Sequence, residues 1–184
     1  EKLTPEELVV QLNEYLDEMS DTIHRVDGTI DKYIGDAIMA IWNAPLNQKE
    51  HAFLACKGAL GCVKQLAVLN ERRKERGDDP LGARIGLNTG EVVVGNMGST
   101  TRFDYTVIGD SVNLASRLEA VNKVYGTDVM ISETTYAFVK ERVVARELDL
   151  ITVKGKEQPV RIYELIALKE DETKANLQLI TRFE

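Results

Sequence analysis

A lysine in an apolar row of a predicted hairpin is the first side chain with chemical potential. Two strand-like runs, 29–34 and 37–42, flank Gly35-Asp36, a two-residue turn signal. This turn predicts the facing pairs Ile34 with Ala37, Lys32 with Met39, and Ile30 with Ile41. Lys32 is then a lone cation among apolar side chains, so it either extends to solvent or meets a polar partner. Asp36 adds a carboxylate at the hairpin tip, although aspartate is also common in turns for backbone reasons.

A second group of polar side chains surrounds a predicted helix over 110–125. Asn113 and Arg117 lie four residues apart and therefore share one face of that helix. Thr106 ends the strand that precedes it, and Gly109-Asp110 makes the turn. A hydroxyl, an amide and a guanidinium can thus meet at one sheet edge, while an ordinary solvated helix surface is the alternative.

Composition and missing motifs narrow the chemistry. The 184 residues carry 23 Lys+Arg against 30 Asp+Glu, a net charge of −7, which argues against nucleic-acid binding and membrane contact. Neither a G-x-x-x-x-G-K-[ST] loop nor a G-x-G-x-x-G fingerprint occurs, and no G-x-S-x-G elbow accompanies the two histidines. Cys56 and Cys62 match no metal-ligand spacing and predict two buried thiols in a cytoplasmic protein.

The elements that must position these side chains predict an α+β fold. Thr4 and Glu7 form a capping-box signal for a first helix, and a second long helix stops before Pro80. Strand-like runs follow at 84–95, 102–108, 129–131, 143–153 and 160–168, with turns at Gly90 and Gly98 and helices at 110–125 and 133–139. Helices covering one face of a mostly antiparallel, ferredoxin-like sheet fit this order, with the first strand absent before the first helix. Residues 1–168 are predicted to form the domain, and 169–184 a polar, loosely held C-terminal tail.

Four ordered motifs make the chain recognisable. They are DGTIDKYIGD at 27–36, RIGLNTG at 84–90, YTVIGDSVNLASRLE at 105–119, and VKGK at 153–156 followed by a strand. Together they resemble the catalytic domain of class III nucleotidyl cyclases, most closely the cyanobacterial-type adenylyl cyclases. The resemblance implies a lyase that converts ATP to 3′,5′-cyclic AMP and pyrophosphate. It also implies a homodimer whose active sites are each shared between two chains.

The resemblance further implies two Mg²⁺ or Mn²⁺ ions in each active site. By motif, Asp36 would be one metal-binding aspartate, and Lys154 or Lys156 would hold the terminal phosphates. In the family the other metal-binding aspartate lies on a strand before the first helix, so we expect it upstream of Glu1. Two metal ions of this kind lower the pKa of the attacking hydroxyl and neutralise the leaving group.

The same resemblance assigns the remaining polar side chains to substrate. Lys32 and Thr106 of the partner chain would select adenine, Asn113 would position the ribose, and Arg117 would stabilise charge on the α-phosphate. The lysine–threonine pair also resembles the subset of cyclases linked to bicarbonate stimulation. A guanylyl cyclase and a non-catalytic module that binds nucleotide or dimerises are the alternatives to an adenylyl cyclase.

Overall fold

The first helix begins where its capping residues predict. A computed structural model describes residues 4–152 and 159–171. Helix α1 spans Pro5–His24, with the Glu7 backbone N–H donating to Thr4 Oγ1 (3.2 Å) and the Thr4 N–H donating to the Glu7 carboxylate (2.8 Å). Both bonds satisfy amides that a helix start leaves without partners, which confirms the capping box.

The hairpin forms as predicted, but its register changes halfway. Strands β1 (Thr29–Ile34) and β2 (Ala37–Ile41) pair antiparallel across Gly35, whose φ of +64° suits glycine. The predicted pairs of Ile34 with Ala37 and Lys32 with Met39 are confirmed. The predicted pair of Ile30 with Ile41 is wrong because a bulge at Asp31 shifts Ile30 opposite Ala40.

The rest of the described chain follows the predicted order with one split strand. The elements are α2 (His51–Arg76), β3 (Ile85–Leu87), β4 (Val93–Gly98), β5 (Phe103–Ile108), α3 (Asp110–Tyr125), β6 (Val129–Ser132), α4 (Glu133–Val139), β7 (Val143–Ile151) and β8 (Val160–Leu168). The strand-like run predicted over 84–95, with its turn at Gly90, forms two strands, because residues 88–92 belong to no strand and separate β3 from β4. Within the predicted tail, Lys169–Asp171 form a 3-10 turn whose first N–H donates to the Arg142 carbonyl.

The described strands form three sheets rather than the one predicted. A four-stranded sheet has the order β3-β6-β8-β7, while β1-β2 and β4-β5 are separate antiparallel ribbons. In the larger sheet β3 runs parallel to β6, and the other pairs are antiparallel. The α+β class is confirmed, since helices pack on a mixed but mostly antiparallel set of strands.

The core is continuous through α2. Cys56 of this helix joins β6, β7 and β8 in one buried cluster, and Leu69 joins α1 and the hairpin in another. A third cluster packs Leu118 of α3 against Met130 and Ile162 of the four-stranded sheet. Apolar contacts with the four-stranded sheet therefore hold helix α3 in place.

Helix α2 is also, within the part of the chain described, long and apolar enough to cross a membrane by length and composition alone. Half of its apolar window is buried inside the protein. Cys56 and Leu69 are completely buried there, so packing in the core accounts for this apolar face.

Candidate functional site

The β1 bulge gives Lys32 a polar neighbour that the sequence pattern did not reveal. The Lys32 side chain is 39% exposed, and its Nζ lies 3.7 Å from Oδ1 of Asp31. Asp31 has no partner on β2, so its carboxylate leaves the ordinary alternation of strand faces. The sequence reasoning missed Asp31, and the only available signal was an acidic residue beside the lone lysine in a predicted strand.

Asp31 connects Lys32 to Thr106 on a different ribbon. The Thr106 hydroxyl donates to Asp31 Oδ2 at 2.7 Å, and the Val107 backbone N–H approaches the same oxygen at 3.4 Å. The Asp31 side chain is only 1% exposed. The two residues predicted to read the base are thus brought to one buried carboxylate.

Helix α3 begins immediately after the strand that carries Thr106. Gly109 links β5 to α3 with a φ of +156°, a backbone conformation that side chains disfavour. Asn113 is exposed on the first turns, and Arg117 lies one turn further on, partly buried. Within the described residues, Nη1 of Arg117 is buried and has no hydrogen-bond partner. A buried donor in that state is costly unless a ligand accepts from it.

The other end of α3 is docked closely on β3. A Cβ added at Gly86 would lie 2.2 Å from the Ala115 carbonyl oxygen and 2.3 Å from the Glu119 nitrogen. Asn122, completely buried, donates through Nδ2 to the Ile85 carbonyl at 2.9 Å. The backbones of β3 and α3 are therefore in direct contact, and β3 fixes how far α3 lies from the strand.

Asn88 ties the loop after β3 to the start of α3. Its Nδ2 donates to the Ser111 carbonyl at 2.9 Å, while its Oδ1 accepts from Ser132 Oγ at 2.6 Å and Thr134 Oγ1 at 3.0 Å. Both ends of the Asn88 amide are thereby satisfied. The first turn of α3, which leads to Asn113, is anchored by this network.

Asp36 faces a different space from the other candidates. It is exposed at the hairpin tip and lines a cleft of about 1490 Å³ between β2 and β3. Lys32, Thr106, Asn113 and Arg117 do not line this cleft. Burial raises the pKa of Tyr15, which also lines the cleft, and electrostatic interactions with Cys62 and Asp36 add smaller increases.

The described residues supply only part of a metal site. Asp36 offers carboxylate oxygens, the ligands that Mg²⁺ prefers. Across residues 4–152 and 159–171, no group of three or more His, Cys, Asp or Glu side chains is placed to hold a metal ion. Lys154 and Lys156 lie outside the described residues.

The α+β fold contains a bulged hairpin that carries Lys32 and a helix, preceded by Gly109, that carries Asn113 and Arg117. Together these features indicate the class of protein. Residues 1–167 match the family described as the adenylate and guanylate cyclase catalytic domain. The chain belongs to this family of class III nucleotidyl cyclases, which are metal-dependent.

Individual relatives include both kinds of cyclase. Adenylate cyclase 1 of Rhizobium meliloti is 40% identical over 90% of this chain and 25% of its own length. The adenylyl cyclase CyaB of P. aeruginosa superposes with a TM-score of 0.85 at 38% identity, covering 94% of this chain and 88% of that one. The guanylyl cyclase Cya2 superposes with a TM-score of 0.82 at 37% identity, covering 94% and 86%. The chain spans about a quarter to a third of the curated adenylate cyclases of Rhizobium meliloti and Anabaena cylindrica.

Proposed function

We propose that this chain is an adenylyl cyclase catalytic domain that converts ATP to 3′,5′-cyclic AMP and pyrophosphate. Similar identity to CyaB and to Cya2 leaves the choice of base to the site residues. The observation that carries the proposal is the convergence of Lys32 and Thr106 on the Asp31 carboxylate. A lysine ammonium only donates hydrogen bonds, which suits the unprotonated N1 of adenine and not the N–H at N1 of guanine.

The surroundings of Thr106 suit a flat base. Its ladder partner on β4 is Gly95, and no atom lies within 4 Å of where a Gly95 Cβ would be. Thr106 accepts from the exocyclic amino group of adenine while its own proton is held by Asp31. In this proposal Lys32 donates to the base, Thr106 accepts from it, and the space beside Thr106 at Gly95 is open.

The phosphate chemistry falls to α3. The ribose 3′-oxygen attacks the α-phosphorus, the new P–O bond closes the ring, and the bond to pyrophosphate breaks as the 3′-hydroxyl proton is lost. Asn113 orients the ribose, and Arg117 donates to the α-phosphate oxygens as charge develops there. The buried Nη1 of Arg117 is a donor available for that contact.

Metal ions belong to this proposal, with Asp36 as one ligand. Two Mg²⁺ or Mn²⁺ ions would lower the pKa of the 3′-hydroxyl and neutralise the pyrophosphate. Lys154 or Lys156 would contact the terminal phosphates. Stimulation by bicarbonate and a cytoplasmic location are also proposed, the first from the Lys32–Thr106 pair.

A homodimer with shared sites is the proposed assembly. Asp36 opens onto the cleft, whereas the four substrate-reading residues do not, so one chain does not gather them around a single space. The β4–β5 ribbon exposes four large apolar side chains, which are Val93 (64%), Phe103 (63%), Tyr105 (46%) and Ile108 (56%). Phe103 and Tyr105 lie on one face of the ribbon, and the facing pair Val93 and Ile108 lies on the other. Burying either face against a second copy would stabilise a dimer.

The first test is cyclic nucleotide production by the full-length protein from ATP and from GTP, with Mg²⁺ or Mn²⁺, and with or without bicarbonate at constant pH. We expect cyclic AMP in clear excess over cyclic GMP. Preference for GTP would replace the proposal with a guanylyl cyclase. ATP binding without product would replace it with a non-catalytic module.

The shared site is tested by mixing inactive chains. Asp36→Ala and Arg117→Ala chains should restore activity together, because one complete site reforms in each heterodimer. The matched control is a mixture of Lys32→Ala and Arg117→Ala chains. In the proposed arrangement one chain supplies both Lys32 and Arg117 to a given site, so no complete site forms in this mixture. Equal results from the two mixtures, with heterodimers verified, would refute the sharing.

A further inference from the structure

A buried carboxylate fixes the direction in which the Thr106 hydroxyl donates. Asp31 Oδ2 accepts from Thr106 Oγ1 at 2.7 Å and is also approached by the Val107 N–H at 3.4 Å. A hydroxyl has a single proton to donate. Once that proton points at Asp31, the remaining lone pairs of Thr106 can only accept.

We propose that Asp31 is a positioning residue that determines base specificity by holding Thr106 as an acceptor. This inference rests on the proposed ATP substrate. Adenine presents an amino donor at C6, whereas guanine presents a carbonyl acceptor there. A threonine fixed as an acceptor pairs with adenine and leaves the guanine carbonyl facing a lone pair. Without Asp31, the hydroxyl can rotate and donate to guanine.

Asp31 also acts on Lys32. Its Oδ1 is buried, lies 3.7 Å from Lys32 Nζ, and has no hydrogen-bond partner within the described residues. This distance attracts the ammonium without forming a hydrogen bond with it, so the lysine protons stay available to a ligand. Asp31 therefore leaves Lys32 free to donate, and it acts on base choice through the Thr106 hydroxyl.

The test measures the ratio of kcat/KM for ATP over GTP in variants of the full-length protein. Asp31→Ala removes the acceptor, and Asp31→Leu repeats the change with a side chain of similar shape in case the alanine variant is unstable. Asp31→Asn keeps an amide oxygen that can accept from Thr106. Asp21→Ala, an exposed acidic residue on α1, is the control for loss of charge.

We expect the ATP-over-GTP ratio to fall roughly tenfold in Asp31→Ala and Asp31→Leu, the loss typical of one unpaired polar contact. It should stay near the wild-type value in Asp31→Asn and Asp21→Ala. Displacement of a fluorescent nucleotide by ATP and by GTP gives the same comparison without turnover. A structural role would lower both activities and leave the ratio unchanged.

A double variant tests whether Asp31 acts through the hydroxyl. In a Thr106→Val background, Asp31→Ala should change the ratio no further. A wild-type protein that prefers ATP, with the ratio unchanged in Asp31→Ala and Asp31→Leu, would overturn this inference alone. A wild-type protein without that preference would overturn the proposed substrate instead.

Discussion

A close backbone contact between β3 and α3 predicts a large effect from one methyl group. Gly86 of β3 faces the backbone of α3, and an alanine Cβ there would lie 2.2 Å from Ala115 O and 2.3 Å from Glu119 N. Ordinary contact begins near 3.4 Å, so α3 must retreat by about 1 Å. Because the clashing atoms are backbone, rotation of a side chain cannot relieve the overlap.

This displacement is carried to Asn113 and Arg117, which lie on α3. A misplacement of about 1 Å can cost on the order of 100-fold in rate, so we expect kcat of Gly86→Ala to fall about 100-fold. Overpacking typically costs about 1–3 kcal/mol in the free energy of unfolding, or roughly 2–12 °C in Tm for a domain of this size. The rate should therefore suffer far more than the fold.

The assay pairs cyclic nucleotide formation with thermal denaturation, both on the full-length protein. Gly82→Ala is the matched control, because no atom lies within 4 Å of a Cβ at Gly82. It should keep the wild-type kcat and Tm. A folded Gly86→Ala protein with kcat within twofold of wild type would refute the idea that β3 sets the position of α3.

Three further predictions concern stability and reactivity. Asn122→Leu should lower the free energy of unfolding, measured with denaturant, by about 2–4 kcal/mol, because buried Thr127 and main-chain groups lose their hydrogen-bond partners. Adding Thr127→Val to the same chain should restore part of this loss. Burial raises the pKa of Cys56 to about 12, so the native protein should leave this thiol unmodified by alkylating reagents at pH 8 until it unfolds. The Arg76 guanidinium lowers the pKa of Glu14, so the Tm advantage over Glu14→Gln should be complete above pH 4.5 and disappear as the pH falls further; an advantage that persists in acid would contradict the ion pair.

Local signals predicted most of the fold because each was self-contained. The capping residues Thr4 and Glu7 marked the start of α1, and Gly35-Asp36 marked the hairpin. Such signals depend on contacts within a few residues, which the sequence displays directly. The number of sheets depends on which strands meet in space, and the expectation of one sheet failed for that reason.

The sequence indicated which side chains need partners but not how those side chains are arranged. Lys32 was identified as a cation that needed a partner, yet the partner Asp31 emerged only from the β1 bulge, which alternation of strand faces does not encode. The closeness of Gly86 to α3 also had no sequence signal, because a glycine at a strand centre has many causes. Both features depend on where two backbones meet.

In the proposed function, selectivity for the base and the rate of cyclisation depend on different contacts. The proposed base-reading pair, Lys32 and Thr106, is held by the contact between β1 and β5 at Asp31, whereas Arg117 is held by the docking of α3 on β3 at Gly86. Because these supports share no contacting residue, their effects should add independently. Gly86→Ala should slow ATP and GTP turnover by the same factor, and Asp31→Ala should change their ratio. The double variant should show both effects in full, and a ratio that shifts in Gly86→Ala alone would show that the two supports are mechanically coupled.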